Sequence, residues 1–441
     1  MSAPPAPAAE LSDVGLYGIM ERYGNLAISA VLDVRRGFSK VELERALEAT
    51  IADFPVLGHR YEPGFWRDRW VWVDEPISTS LTVVDDCDVE VETERWAHRP
   101  IDATRERQIR LVAIRRGPSR TRLILTVLHL AVDGAGFSAV GHVFGARLYG
   151  IEPAAPVDSR RDIWRTLDGL GPHHWLAMPL ALLRSLKRPL EQRAAAKRQR
   201  DLPRDGRDVP ASRHVTIDAR DLATIRARLG SGVSINDLLV AALARVSAER
   251  SDGEQVNVLY TMDLRRYRRE RGLVAANTSG VLSVVVPRRA ATDLATAAKA
   301  VSALTSRERD LLAGPAFVLG PMLLGAGLPH ALSRSLVGLL APALVETPLE
   351  RGLLVTNVGR IDEGVRAFAD DLESVRIVGP LVSSFPVPIL VAYGFRGQLC
   401  LSMFAPPGVG AGALAELESD ILRALEKPDT GLTFRPGSLG A

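Results

Sequence analysis

The stretch Leu123-Ile-Leu-Thr-Val-Leu-His-Leu-Ala-Val-Asp-Gly-Ala-Gly-Phe137 decides the fold. Leu123 to Leu128 form an apolar run rich in β-formers, the pattern of a strand buried on both faces. His129 ends it. Asp133-Gly134-Ala135-Gly136 then supplies turn punctuation, and Phe137, Val140, Phe144 and Leu148 recur at helical spacing. An imidazole and a carboxylate therefore sit where a core strand breaks into a loop before a helix. Such a place holds side chains rigidly and still lets them reach a cavity.

A neutral imidazole can take a proton from a hydroxyl, amine or thiol as that group attacks an acyl carbon, and return it to the leaving group. The plain alternative is a packed, hydrogen-bonded core histidine, the commoner fate of a single His after a strand. His-x-x-x-Asp-Gly at the end of a core strand resembles the signature of the chloramphenicol acetyltransferase-like superfamily. That group includes CoA-dependent acyltransferases, wax ester synthases and the condensation domains of nonribosomal peptide synthetases. The family pattern is His-His-x-x-x-Asp-Gly, and the resemblance makes His129 the catalytic base, with Asp133 and Gly134 completing the motif. Leu128 stands where the pattern has its first, supporting His.

Other stretches carry the same resemblance. From Leu26 to Val34 the chain reads as a strand. Ser39 then caps an amphipathic helix with Glu42 in capping-box position and Val41, Leu43, Leu47 and Ile51 facing the core, and Phe54-Pro-Val-Leu57 ends it. Ser234 caps a second helix in Gly232-Val-Ser-Ile-Asn-Asp-Leu-Leu-Val-Ala-Ala-Leu243, which is similar to a segment of the superfamily's second domain. A strand from Asn257 to Met262 leads into Asp263-Leu-Arg265-Arg266, and Asn277-Thr-Ser-Gly280 precedes the next strand, Val281 to Val286. The resemblance pairs Arg265 with Asp133, so that the Asp ties the loop and aims the His rather than accepting the proton. The plain alternative for Arg265 is one surface charge among many. Leu353-Leu-Val-Thr-Asn-Val-Gly359 is close to a Ser-Asn-x-Gly turn of condensation-like enzymes, which makes Thr356 and Asn357 candidates for oxyanion donors or, equally, a polar turn satisfying its own backbone. Val387 to Phe395 and Leu399 to Phe404 read as a hairpin around Gly397-Gln398.

At 441 residues the chain is too long for one ordinary core. The expected organisation is a mobile tail over residues 1–10, an N-terminal subdomain over 11–180 carrying the His motif, a basic crossover linker over 181–211, and a C-terminal subdomain over 212–441. The fold class is α/β, with two similar subdomains, each a mixed sheet plus helices, facing each other across a central channel. Hydrophobic residues make up 46% and charged residues 24%, which excludes long disorder as the main theme. A net charge of +3 gives no case for a nucleic-acid partner. Cys87 and Cys400 are the only cysteines, too few for a disulfide framework or a Cys-rich metal site, and a reducing cytoplasm is the expected compartment. No metal site is expected: His173 and His174 are adjacent and cannot share a helical face.

Two segments stay open. Residues 175–200 run from an apolar stretch into basic sequence; this suits peripheral membrane contact, an acidic carrier protein or a CoA phosphate, and equally a solvated linker. Between Ala313 and Val345 the chain is strongly apolar but broken by Pro321, Pro329 and Arg334, so buried helices or an acyl-channel wall are expected and a membrane span is not. The resemblance implies acyl transfer from a thioester, on acyl-CoA or a carrier-protein phosphopantetheine arm, to a small-molecule hydroxyl or amine, with no bound cofactor. A stand-alone condensation domain is the near alternative. A non-catalytic scaffold is the distant one.

Overall fold

The computed structural model describes residues 6–85, 87–195, 211–230, 232–341, 352–379, 388–405 and 408–425. Strand Thr121–Leu128 is buried at every position and sits at the centre of a five-stranded sheet. It pairs antiparallel with Ala27–Val34 on one side and Ile109–Arg115 on the other; Leu81–Val84 adds in parallel at one edge. Helix Val89–Ala97 covers one face, where Ser29 Oγ donates to the Ala97 carbonyl at 3.0 Å. Helix Gly134–Tyr149 buries Phe137, Val140, Phe144 and Leu148 and packs on helix Lys40–Asp53. Continuous burial is why the strand carries no polar alternation.

Ser39 accepts from the Glu42 backbone N–H at 3.2 Å, and the Glu42 carboxylate accepts from Ser39 N–H at 2.8 Å, closing the expected capping box. Leu43, Leu47 and Ile51 are buried. Val41 is not; it is 71% exposed. Two helical residues turn about 200°, so Val41 lies across the helix from Leu43.

The second sheet has six strands in the order Ser279–Pro287, Gln255–Asp263, Gly352–Arg360, Ile389–Phe395, Gln398–Ala405 and Ala211–Ile217. Gly352–Arg360 runs parallel to both its neighbours, and the remaining pairs are antiparallel, so this sheet is mixed as well. Arg396 and Gly397, both at positive φ, form the two-residue turn of its hairpin. Helix Ile235–Arg250 packs under this sheet and against Leu294–Asp310; its capping box is Ser234 and Asp237.

Two features depart from the expected organisation. Strand Leu372–Val378, from the C-terminal half of the sequence, pairs antiparallel with Ala27–Val34 at the edge of the first sheet. The C-terminal half thus lends a strand to the first sheet, and a cut at residue 211 does not separate the two sheets. The apolar segment beyond Ala313 forms helices Ala313–Gly325 and His330–Ala341, and Phe317, Leu332, Leu336 and Leu339 are exposed rather than core. Residues 342–345 of that segment lie outside the described residues, as do 196–210 of the linker; residues 172–195 are a single helix.

Candidate active site

His129 follows the last residue of its strand, half-buried, its backbone N–H donating to the Leu26 carbonyl at 3.0 Å. Its Nδ1 stands 3.1 Å from Asn277 Oδ1. The other end of that amide is committed: Asn277 Nδ2 donates to the Leu130 carbonyl at 2.8 Å. The oxygen facing the imidazole can only accept, so in the neutral ring Nδ1 carries the proton and Nε2 the lone pair. Leu128, in the place of the motif's first His, is fully buried in the apolar core.

Asp133 caps helix Gly134–Tyr149 and is 1% exposed. Its Oδ1 accepts from Gly136 N–H at 2.8 Å and lies 2.9 Å from Arg265 Nη1. Its Oδ2 accepts from Arg265 Nη1 at 3.0 Å, Thr278 N–H at 2.8 Å and Ser279 Oγ at 2.8 Å. Burial opposes ionisation, but the Arg265 charge and these hydrogen bonds outweigh it and hold the carboxyl below its ordinary value. A carboxylate so fully engaged is a clamp and not a proton acceptor. Arg265 in turn donates to the carbonyls of Ala276 at 2.9 Å and Val274 at 3.3 Å. Arg161 holds the same loop from the other side, donating to the carbonyls of Ala131 and Ala275 and to the buried Asp13.

This close approach leaves little room for a side chain at Gly136. A Cβ on Gly136 would lie 3.0 Å from the Ala276 oxygen and 3.1 Å from Arg265 Nη2. At Gly134 it would meet only Val358, at 3.4 Å. Gly136 is the tighter position.

Thr356 and Asn357 belong to the strand Gly352–Arg360. Thr356 Oγ1 lies 3.2 Å from Thr261 Oγ1, and Asn357 Oδ1 accepts from Gly359 N–H at 2.9 Å. Their neighbour Val358 packs on Gly134, which brings this strand against the start of the motif helix. Asn277, Thr278 and Ser279 read in the sequence as a turn; here they orient the imidazole and complete the carboxylate's shell. Their signal was three consecutive polar residues directly before a core strand. Among the described residues no group of three His, Cys, Asp or Glu side chains could hold a metal ion.

Solved structures share this architecture across nearly the whole chain. The first condensation domain of the calcium-dependent antibiotic synthetase, in complex with a substrate analogue, superposes with a TM-score of 0.67 over 96% of both chains at 17% identity. The trichothecene 15-O-acetyltransferase TRI3 from Fusarium sporotrichioides matches with a TM-score of 0.68 over 95% of this chain and 94% of that one at 13% identity. The fold is that of the chloramphenicol acetyltransferase-like superfamily. The epimerization domain of the third module of tyrocidine synthetase B has the same fold, with a TM-score of 0.64 over 96% of both chains at 13% identity. No protein-family model matches the sequence. By sequence the chain is 27% identical over 401 residues to the uncharacterized protein Rv2305 of Mycobacterium tuberculosis, covering 86% of this chain and 89% of that protein. Within the chloramphenicol acetyltransferase-like fold, His129 lies where the two halves of this chain meet, bonded to Leu26 from one and Asn277 from the other.

Proposed function

We propose that this protein is an acyltransferase that moves an acyl group from a thioester, on CoA or a carrier-protein phosphopantetheine arm, to a hydroxyl or amine acceptor. The observation that carries this is the oriented imidazole, with Nδ1 bonded to Asn277 and Nε2 left as the acceptor. The acceptor's O–H or N–H gives its proton to His129 Nε2 as its oxygen or nitrogen attacks the thioester carbonyl. The tetrahedral intermediate collapses, the C–S bond breaks, and the departing thiolate takes the proton back from Nε2. Asp133 and Arg265 hold the loop through both steps and exchange no proton. Thr356, through its hydroxyl, and Asn357, whose amide N–H₂ remains a donor, are the candidates to face the developing oxyanion, an interaction worth about 3–4 kcal/mol where a donor is well placed.

The likeness to the antibiotic synthetase's condensation domain supports a second reading, a stand-alone condensation domain joining carrier-bound substrates as an amide or ester. Purified protein incubated with a panel of acyl-CoA donors and hydroxyl or amine acceptors, followed by free thiol and product mass, tests the first reading. The same panel with acyl groups loaded on phosphopantetheinylated carrier proteins tests the second. Transfer from CoA donors favours the first and transfer from carriers alone the second, while silence from both overturns acyl transfer.

A further inference from the structure

Helix His330–Ala341 is built inside out. Its polar side faces the protein: His330 is buried and accepts from the Asp68 backbone N–H at 2.9 Å, and Arg334 pairs with the buried Asp68 and donates to the Gly64 carbonyl at 3.2 Å. Its leucines face out. Leu332, Leu336, Leu339 and Leu340 fall within one stripe at helical spacing, and Leu339 is 74% exposed.

Helix Pro172–Ala195 presents a matching stripe. Met178 and Ala181 are buried, whereas Leu176, Leu180 and Leu183 are exposed, Leu176 at 84%. Arg184 and Lys187 are exposed on the same helix. The two are linked through helix Ala313–Gly325, which packs on Pro172–Ala195. The Phe65-Trp66 loop joins at the start of the last helix, its two carbonyls accepting from Ala331 and His330 N–H, and Trp66 is 69% exposed. Helix Pro172–Ala195 carries no acid before Glu191 and none occurs between residues 311 and 345, while exposed Glu21 borders the last helix beside Ala331 and Ser335.

We infer that these helices form a docking face for an anionic lipid bilayer. A soluble monomer rarely shows so many large apolar side chains together. Leucine stripes with a tryptophan at one edge and Arg184 and Lys187 beside one of them match the chemistry of the headgroup–acyl boundary. Charge decides the occupant: a two-fold pairing of copies would turn the same basic face on itself, whereas an anionic surface attracts every cation on it. No helix among the described residues is long and apolar enough to cross a membrane, so the contact is along the surface. This inference does not depend on the chemistry at His129.

The test is vesicle co-sedimentation of the purified full-length chain with phosphatidylcholine alone and with phosphatidylcholine mixed with phosphatidylglycerol. Arg184 and Lys187 together predict a gain of roughly thirtyfold on the anionic vesicles, at about fivefold for each basic side chain near such a surface. High salt should reduce it. Leu176→Glu/Leu339→Glu and, separately, Arg184→Glu/Lys187→Glu should each lower capture at least tenfold with unchanged melting temperature, since all four side chains are exposed. Light scattering should give a monomer. Absence of capture, capture the charge-reversed variant retains, or a dimer that Leu176→Glu/Leu339→Glu dissociates would overturn the inference, the last in favour of a second copy.

Discussion

Asn277 Oδ1 lies 3.1 Å from His129 Nδ1, while Asn277 Nδ2 donates to the Leu130 carbonyl at 2.8 Å. One amide therefore fixes both the ring's tautomer and the loop that follows it. Asn277→Ala should lower kcat by roughly 10- to 100-fold, the usual scale for losing an orienting partner, with little change in KM. In a His129→Ala background the same substitution should cost almost nothing further, because the two act as a unit. Steady-state kinetics of the four proteins of this cycle check it.

The partly buried Arg265 and the buried Asp133 form an ion pair drawn from opposite halves of the chain. Removing one partner of such a pair strands the other charge, at a cost of about 3–5 kcal/mol. Arg265→Ala should show that loss in urea denaturation. Arg265→Lys should lose less, but still measurably, because an ammonium cannot reproduce the contacts to Asp133 and the Ala276 carbonyl together.

The depressed Asp133 carboxyl has a signed consequence for pH. A group whose folded value lies below its unfolded value contributes stability that is fully present above the unfolded value, about 3.9 for Asp, and is lost as pH falls through the folded one. Denaturation midpoints of the wild type should drop as pH is lowered below that range. In Asp133→Asn the midpoint should be lower at neutral pH and fall less steeply toward acid.

Gly136 and Gly134 should respond differently to alanine. At Gly136 the methyl group would press on the Ala276 carbonyl and the Arg265 guanidinium, an overpacking cost of roughly 1–3 kcal/mol. Gly134→Ala meets only the end of Val358 and should fall within about 1 kcal/mol of wild type. Melting temperatures of the two variants give the comparison.

Leu128 is enclosed by core side chains, so restoring the motif's first histidine should not help. Leu128→His would bury an imidazole in apolar surroundings and should destabilise by about 1–3 kcal/mol without raising kcat.

The strand and helix around His129 were legible because apolar periodicity reports burial directly. The strand read over Leu123 to Leu128 is present and begins two residues earlier, at Thr121, and the Phe137, Val140, Phe144, Leu148 stripe appears where the pattern places it. What periodicity leaves out is the identity of the partner. Leu372–Val378 has no clean apolar alternation to mark it as a strand, and it crosses to Ala27–Val34. The leucines of His330–Ala341 read as core because an apolar stripe demands a cover without naming one, and among the described residues none supplies it. Arg265 was reachable only through the resemblance, lying 132 residues from Asp133. Asn277 looked like any turn residue, since a polar side chain satisfying its own backbone and one steering a distant imidazole leave the same letter in the sequence.

The central claim is that His129 moves the proton in acyl transfer. The most direct measurement is turnover by His129→Ala beside wild type on whichever thioester the donor panel identifies, with circular dichroism and melting temperature confirming that both are folded. General-base assistance contributes about 10²- to 10⁴-fold, and the account expects kcat to fall by that amount with the protein still folded. Turnover within a few-fold of wild type would contradict it and leave His129 a core histidine held by Asn277.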